Sequence, residues 1–105
     1  MTTNPIPQLA PAIALVELLR EHPELPPVAW TIGDTSTLCG TLVLDIDGRP
    51  VVAAYAEAIG GEVRTTDFNR NGDHRMSDSV RAVWRDVTVD VWVSYPAAQV
   101  AQVAA

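Results

Sequence analysis

Asp67, Asn69 and Asn71 stand at alternate positions in the stretch DFNRNGDHRMSD (residues 67–78), followed by Gly72 and, at the twelfth place, Asp78. A calcium ion gathers several oxygens from one loop, so side-chain oxygens at alternate positions, a carbonyl two residues on, a glycine for the sharp bend and a closing carboxylate are the donors it needs. Asp67, Asn69, Asn71, Asp73 through its carbonyl, and Asp78 are therefore the candidate metal ligands. The charges weigh against them. Arg70 and Arg75 lie inside the loop, and Asp78 is shorter than the bidentate glutamate such a loop closes on. The flanks EVRTTDF and SVRAVW are rich in β-branched residues and alternate, as strands do, whereas a calcium loop of this kind has helices on both sides. Asn71-Gly72 is also the favoured dipeptide of a two-residue hairpin turn. The expectation is a hairpin arm, with a calcium-modulated binding loop as the alternative.

LVLDIDGRP (residues 42–50) offers a second pair of carboxylates. An apolar strand ending in Asp-x-Asp-Gly resembles the first motif of haloacid-dehalogenase-type phosphatases. The resemblance implies Asp45 as nucleophile and Asp47 as acid/base. The rest of that pattern is missing: Arg49 follows the glycine, no later lysine exists, and the chain that remains is too short for a large parallel-sheet domain. Asp47 reads instead as a turn or helix-start residue.

The remaining reactive types are scattered. His22 and His74 have no second ligand at metal spacing. Cys39 lies on an alternating apolar stretch without a basic neighbour that would make its thiolate. Ser36, Ser77, Ser79 and Ser94 lack a nucleophile-elbow context. No convergent catalytic set emerges, and the expected class is a non-enzymatic binding domain without a cofactor.

Composition narrows the classes further. The 105 residues carry a net charge of −6, and 48% are hydrophobic. That length suits one modest core. The negative field disfavours nucleic acid. All seven basic residues are arginine, which removes chemistry that needs a lysine amine. A single cysteine cannot form a disulfide within the chain, so a reducing, cytoplasmic setting is expected. The N-terminus has no basic region before an apolar run, and AIALVELL is too short to span a membrane.

These side chains are positioned by a short series of elements. Residues 1–10 carry two prolines and read as a flexible segment. A helix is predicted from Pro11 to His22, ended by Pro23. Ile13, Val16 and Leu19 form one stripe on it, Leu15 and Leu18 a second, an arc wider than one contact requires. Val28, Trp30 and Ile32 alternate as a strand, and residues 38–46 form another, hairpinned to it, with Leu38, Leu42, Leu44 and Ile46 on one side. A second helix places Val52, Tyr55, Ala56 and Ile59 on one face and stops at Gly60-Gly61.

In the last third, a two-residue turn at Arg85-Asp86 sets Val80, Ala82 and Trp84 on one face with Val87, Val89, Val91 and Val93, and puts Arg81 opposite Asp90. A turn at Asn71-Gly72 then pairs Val63 with Val80 and Glu62 with Arg81. Residues 97–105 read as a flexible tail, leaving residues 11–96 as one domain. The expected fold is α+β, in the order α-β-β-α-β-β-β, with an antiparallel sheet of about five strands and one or two helices on one face. Trp92 falls on the polar face beside Asp90. Together with Leu15 and Leu18 on the wide helical arc it is the candidate contact for a second copy or another protein.

AYAEAIGGEV and DVTVDVWVSYP, within residues 12–96, resemble segments of short proteins of high-GC actinobacteria often met near phage- or plasmid-derived genes. The resemblance implies a cytoplasmic context and supplies no functional residues to carry over.

Overall fold

The computed structural model describes residues 8–33 and 36–97. Seven elements follow one another: α1 (Leu9–Glu21), β1 (Ala29–Ile32), β2 (Thr37–Val43), α2 (Arg49–Ile59), β3 (Val63–Arg70), β4 (Asp73–Trp84) and β5 (Val87–Pro96). This is the α+β order expected from the sequence. Residues 9 and 10 belong to α1, whose first turn accepts Pro11 because proline there forfeits only an N–H that has no helical partner. Of the ends expected to be flexible, 1–10 and 97–105, residues 1–7 and 98–105 lie outside the described residues.

One constraint organises the sheet. Each residue of a strand faces the opposite way to the next, so a buried face fixes register to the residue. The chain supplies two turns that agree with it. Asn71 and Gly72 have φ of 52° and 84°, Arg85 and Asp86 of 53° and 66°, the left-handed pairs of two-residue hairpin turns. Between them β4 pairs without interruption, Val63 with Val80 on one side and Arg81 with Asp90 on the other. Val87, Val89, Val91, Val93 and Tyr95 are all buried in consequence.

The strand order is β1-β2-β5-β4-β3. β5 lies at the centre, antiparallel to β4 but parallel to β2, with Leu38 beside Val89 and Leu42 beside Val93. The sheet is therefore mostly antiparallel, as expected, with one parallel pairing, β2 with β5. The reason is topological: β5 returns beside β2 after the α2-β3-β4 excursion, and two strands separated by that many elements are free to run the same way. β2 also ends sooner than expected. It leaves the sheet after Val43, and Ile46 stands 65% exposed.

Both helices cover one face. Pro11, Ala14 and Leu18 of α1 and Val52, Tyr55 and Ile59 of α2 point into the core formed with Leu38, Val80 and the β5 row. Trp30 meets Tyr55 edge-on at 5.8 Å and lies over Gly40, where a side chain would strike its ring. Gly48, just before α2, sits against β5: a Cβ there would stand 2.6 Å from Val93 Cγ1 and 2.8 Å from the Tyr95 ring. Its φ of −94° is ordinary, so the requirement is space and not backbone freedom. Gly48→Ala is expected to cost about 1–3 kcal/mol through overpacking, read as a lower urea midpoint with unchanged slope. An unchanged midpoint would show that α2 can move off the sheet at little cost.

Candidate functional site

The twelve residues 67–78 form two paired strands and their turn. Asp67 lies opposite Met76, Asn69 opposite His74, and Arg70 opposite Asp73. A strand rises by about 3.3 Å per residue, so Asp73 and Asp78 lie roughly 16 Å apart along β4, too far to share one ion. Asp73 points to the face opposite Asp78, Asp67 engages the His74 ring at 3.0 Å, and Asp78 is turned into the core. The five candidate ligands are thus dispersed along a hairpin arm. No group of three or more metal-binding side chains occurs among the described residues. The ligand spacing is real in sequence, but the β-branched flanks stretch it out. Added calcium is expected to leave the melting temperature unchanged, since a ligand raises it only by binding the folded state.

Asp78 has a different role. It occupies a helix-side position of β4, between Met76 and Val80 on that face and opposite Val93 of β5, and it is 3% exposed. A carboxylate buried there needs donors. Tyr95 Oη and Thr65 Oγ1 each donate to Asp78 Oδ1 at 2.9 Å. Sequence reasoning had the residue but not this setting, because Thr65 and Tyr95 approach it only across two strand pairings. Burial first, then the bond to Asp78, pushes the Tyr95 phenol well above its ordinary value, so it stays protonated and is no candidate base. The cluster holds three strands together and presents no nucleophile.

Beside it lies the pair from the phosphatase-like stretch. Asp47 Oδ1 accepts from the Arg49 backbone N–H at 3.0 Å, and the Arg49 guanidinium grips both carboxylate oxygens, with Nη2 at 2.7 Å from Oδ2. The side-chain bonds from Arg49 hold the Asp47 carboxyl below its usual range. Asp47 is therefore a turn residue leading into α2, as its place before the helix suggested. Asp45 is exposed in the loop after β2. The mixed sheet, with β2 hairpinned to β1, is not the parallel-sheet domain on which the phosphatase motif works.

The helix-free face of the sheet carries Trp92, Cys39, Arg81, Asp90 and Arg64. Trp92 is half-buried between Thr41 of β2 and Ser79 of β4, less prominent than an isolated exposed anchor. Arg81 Nη2 donates to Asp90 Oδ2 at 2.8 Å, while Glu62 lines the same open depression, about 530 Å³, without closing an ion pair. Arg75 is spent locally, donating to Ser94 Oγ and the Leu44 carbonyl at 2.8 Å each. Burial, then the nearby Asp90, pushes the Cys39 thiol up, away from reactivity.

The wide arc of α1 divides in two. Leu18 is fully buried in the core and has no surface to offer, so the expectation that it meets a partner is corrected, while Leu15 packs partly buried against the core. The opposite side of the helix holds the free surface. Leu9, Ile13, Val16 and Leu19 are 47%, 48%, 54% and 44% exposed, a continuous aliphatic stripe at helical spacing. Glu17 and Glu21 on its flank are joined to Arg85 of the β4–β5 turn, whose guanidinium also stacks 4.3 Å above Trp84.

No family model matches the chain, and no curated protein or solved structure matches it either. No helix among the described residues is long and apolar enough to cross a membrane.

Tyr95→Phe is expected to cost about 1–2 kcal/mol, and Asp78→Ala more, because it strands two hydroxyls at once. The tyrosine also sets an alkaline limit. A folded-state pKa above the unfolded one contributes stability that is present below the unfolded value of about 10 and is lost as pH rises through the folded value. Melting temperature should therefore fall above about pH 10, with tyrosinate absorbance appearing together with unfolding. In Tyr95→Phe that fall should be shallower.

Proposed function

We propose that this protein is a small non-enzymatic domain that works by binding another protein, with the outer face of α1 as its docking surface. The observation that carries the reading is the stripe Leu9, Ile13, Val16 and Leu19. Four neighbouring large aliphatic side chains lie half in water on one helix whose other side already fills the core. Apolar surface of that kind gains free energy when covered, and on soluble domains a contiguous patch marks an interaction site. The occupant that fits is an amphipathic helix presenting its own apolar face, the helix-on-helix mode of recognition. A non-catalytic role agrees with the state of the acids: Asp78 is held by two hydroxyls and Asp47 by Arg49. The setting is taken as cytoplasmic on the strength of the single cysteine.

The double substitution Ile13→Glu/Val16→Glu tests this directly. Both positions are exposed, so the melting temperature should stay close to that of the unaltered chain. A protein retained from the native host by the unaltered chain should be lost by the variant. Identical retention by the two, with both folded, would remove α1 as the docking surface.

A further inference from the structure

We propose that two copies of this chain pair through β3, antiparallel and about a two-fold axis normal to the sheet, in the single register that sets Glu62 against Arg70 of the second copy. This does not depend on α1, which lies near β2 and β5, away from the β3 edge.

The starting observation is that β3 is an edge strand eight residues long, exposed at every position except Phe68, which is half-buried. Edge strands leave a row of unpaired N–H and C=O groups, and proteins ordinarily blunt them. β3 carries no proline. The two-residue turn at Asn71-Gly72 makes Arg70 and Asp73 the closing hydrogen-bonded pair. By alternation Arg64, Thr66 and Phe68 also bond to β4, and Val63, Thr65, Asp67 and Asn69 turn their amides outward.

Symmetry then restricts the pairing. A two-fold axis that makes two β3 strands antiparallel must be normal to the sheet, so each face stays on its own side and every residue meets one of its own parity. In the proposed register Val63 faces Asn69 of the second copy and Thr65 faces Asp67, with about eight main-chain bonds along the seam. These use the amides already turned outward. The closer, non-hydrogen-bonded positions bring Glu62 to Arg70, Arg64 to the Phe68 ring, and Thr66 to its own symmetry mate on the axis. Each is a favourable cross-strand pair, and the first two occur twice.

A slip of one step towards the turn sets Arg64 against Arg70 and Asp67 against Asp67. A step the other way sets Val63 against Asp67 and leaves no charge pair. The charges that would repel a misaligned strand suit this one, which is how an edge selects its partner. There is room at the seam's end as well: the second copy's Asn71-Gly72 turn reaches Gly60 and Gly61, and a Cβ at Gly60 would meet nothing within 4 Å. The pair would carry one continuous sheet, five strands from each copy.

Sedimentation equilibrium on the full chain tests the proposal with a charge-exchange series. The unaltered chain should dimerise. Glu62→Arg and Arg70→Glu should each weaken the dimer by roughly tenfold, since each turns two attractions into repulsions. The combination Glu62→Arg/Arg70→Glu should restore it. Glu62 immediately precedes β3 and Arg70 ends it, a strand's length apart, so restoration cannot arise within one chain. Asp67→Pro should abolish dimerisation by removing an outward N–H, while melting measurements report that the β3–β4 ladder remains. A chain that stays monomeric at high concentration would overturn the proposal, as would a double exchange that fails to restore the dimer. A dimer lost on Ile13→Glu/Val16→Glu but indifferent to the β3 substitutions would assign self-association to α1 and overturn it too.

Discussion

β5 runs through the middle of the sheet with Val87, Val89, Val91, Val93 and Tyr95 turned towards both helices, and a slip of one residue in its pairing with β4 would carry Arg81 or Asp90 into that interior. The cost of burying either charge exceeds anything a slipped register could gain. β4 and β5 are thereby locked, and the rest of the molecule is built on them. β2 takes the free edge of β5, β1 folds back on β2, β3 folds back on β4, and α1 and α2 close over the valine row. The turns at Asn71-Gly72 and Arg85-Asp86 set the same register from the backbone side, so local and global preferences agree.

Asp78 is the buried carboxylate on the helix-facing side of β4. Its carboxylate is tolerated because Thr65 and Tyr95 supply hydroxyls from the strands on either side, and because that end of the sheet lies next to the Asp47–Arg49 pair at the start of α2. A network satisfied in this way ties β3, β4 and β5 together where the valines give out. Its members stabilise one another and leave no group poised to attack a substrate, which directs attention from chemistry to surfaces.

Two surfaces remain incompletely used by the fold. One is the aliphatic stripe outside α1, and the other is the long edge of β3. They differ in kind: the stripe offers apolar area with little directional demand, whereas the edge offers directed backbone bonds and a pattern of charges that admits few partners. The two lie far enough apart in the strand order for both to be occupied at once.

Much of this architecture is written locally. The valine alternation and the two turn dipeptides determine the β4–β5 and β3–β4 registers, since period-two burial and left-handed turn residues act over a few positions. Pro23 and Gly60-Gly61 likewise place the helix ends. The sequence could offer calcium-loop spacing at residues 67–78, but the conformation of the flanks decided whether those oxygens converge. Only the tertiary structure decided that β5 lies parallel to β2, that Leu18 and not Ile13 or Val16 faces inward, and that Asp78 meets Tyr95. Each of these depends on contacts between segments far apart in the chain, and a helix with apolar residues over most of its circumference carries no local signal for which side the core will take.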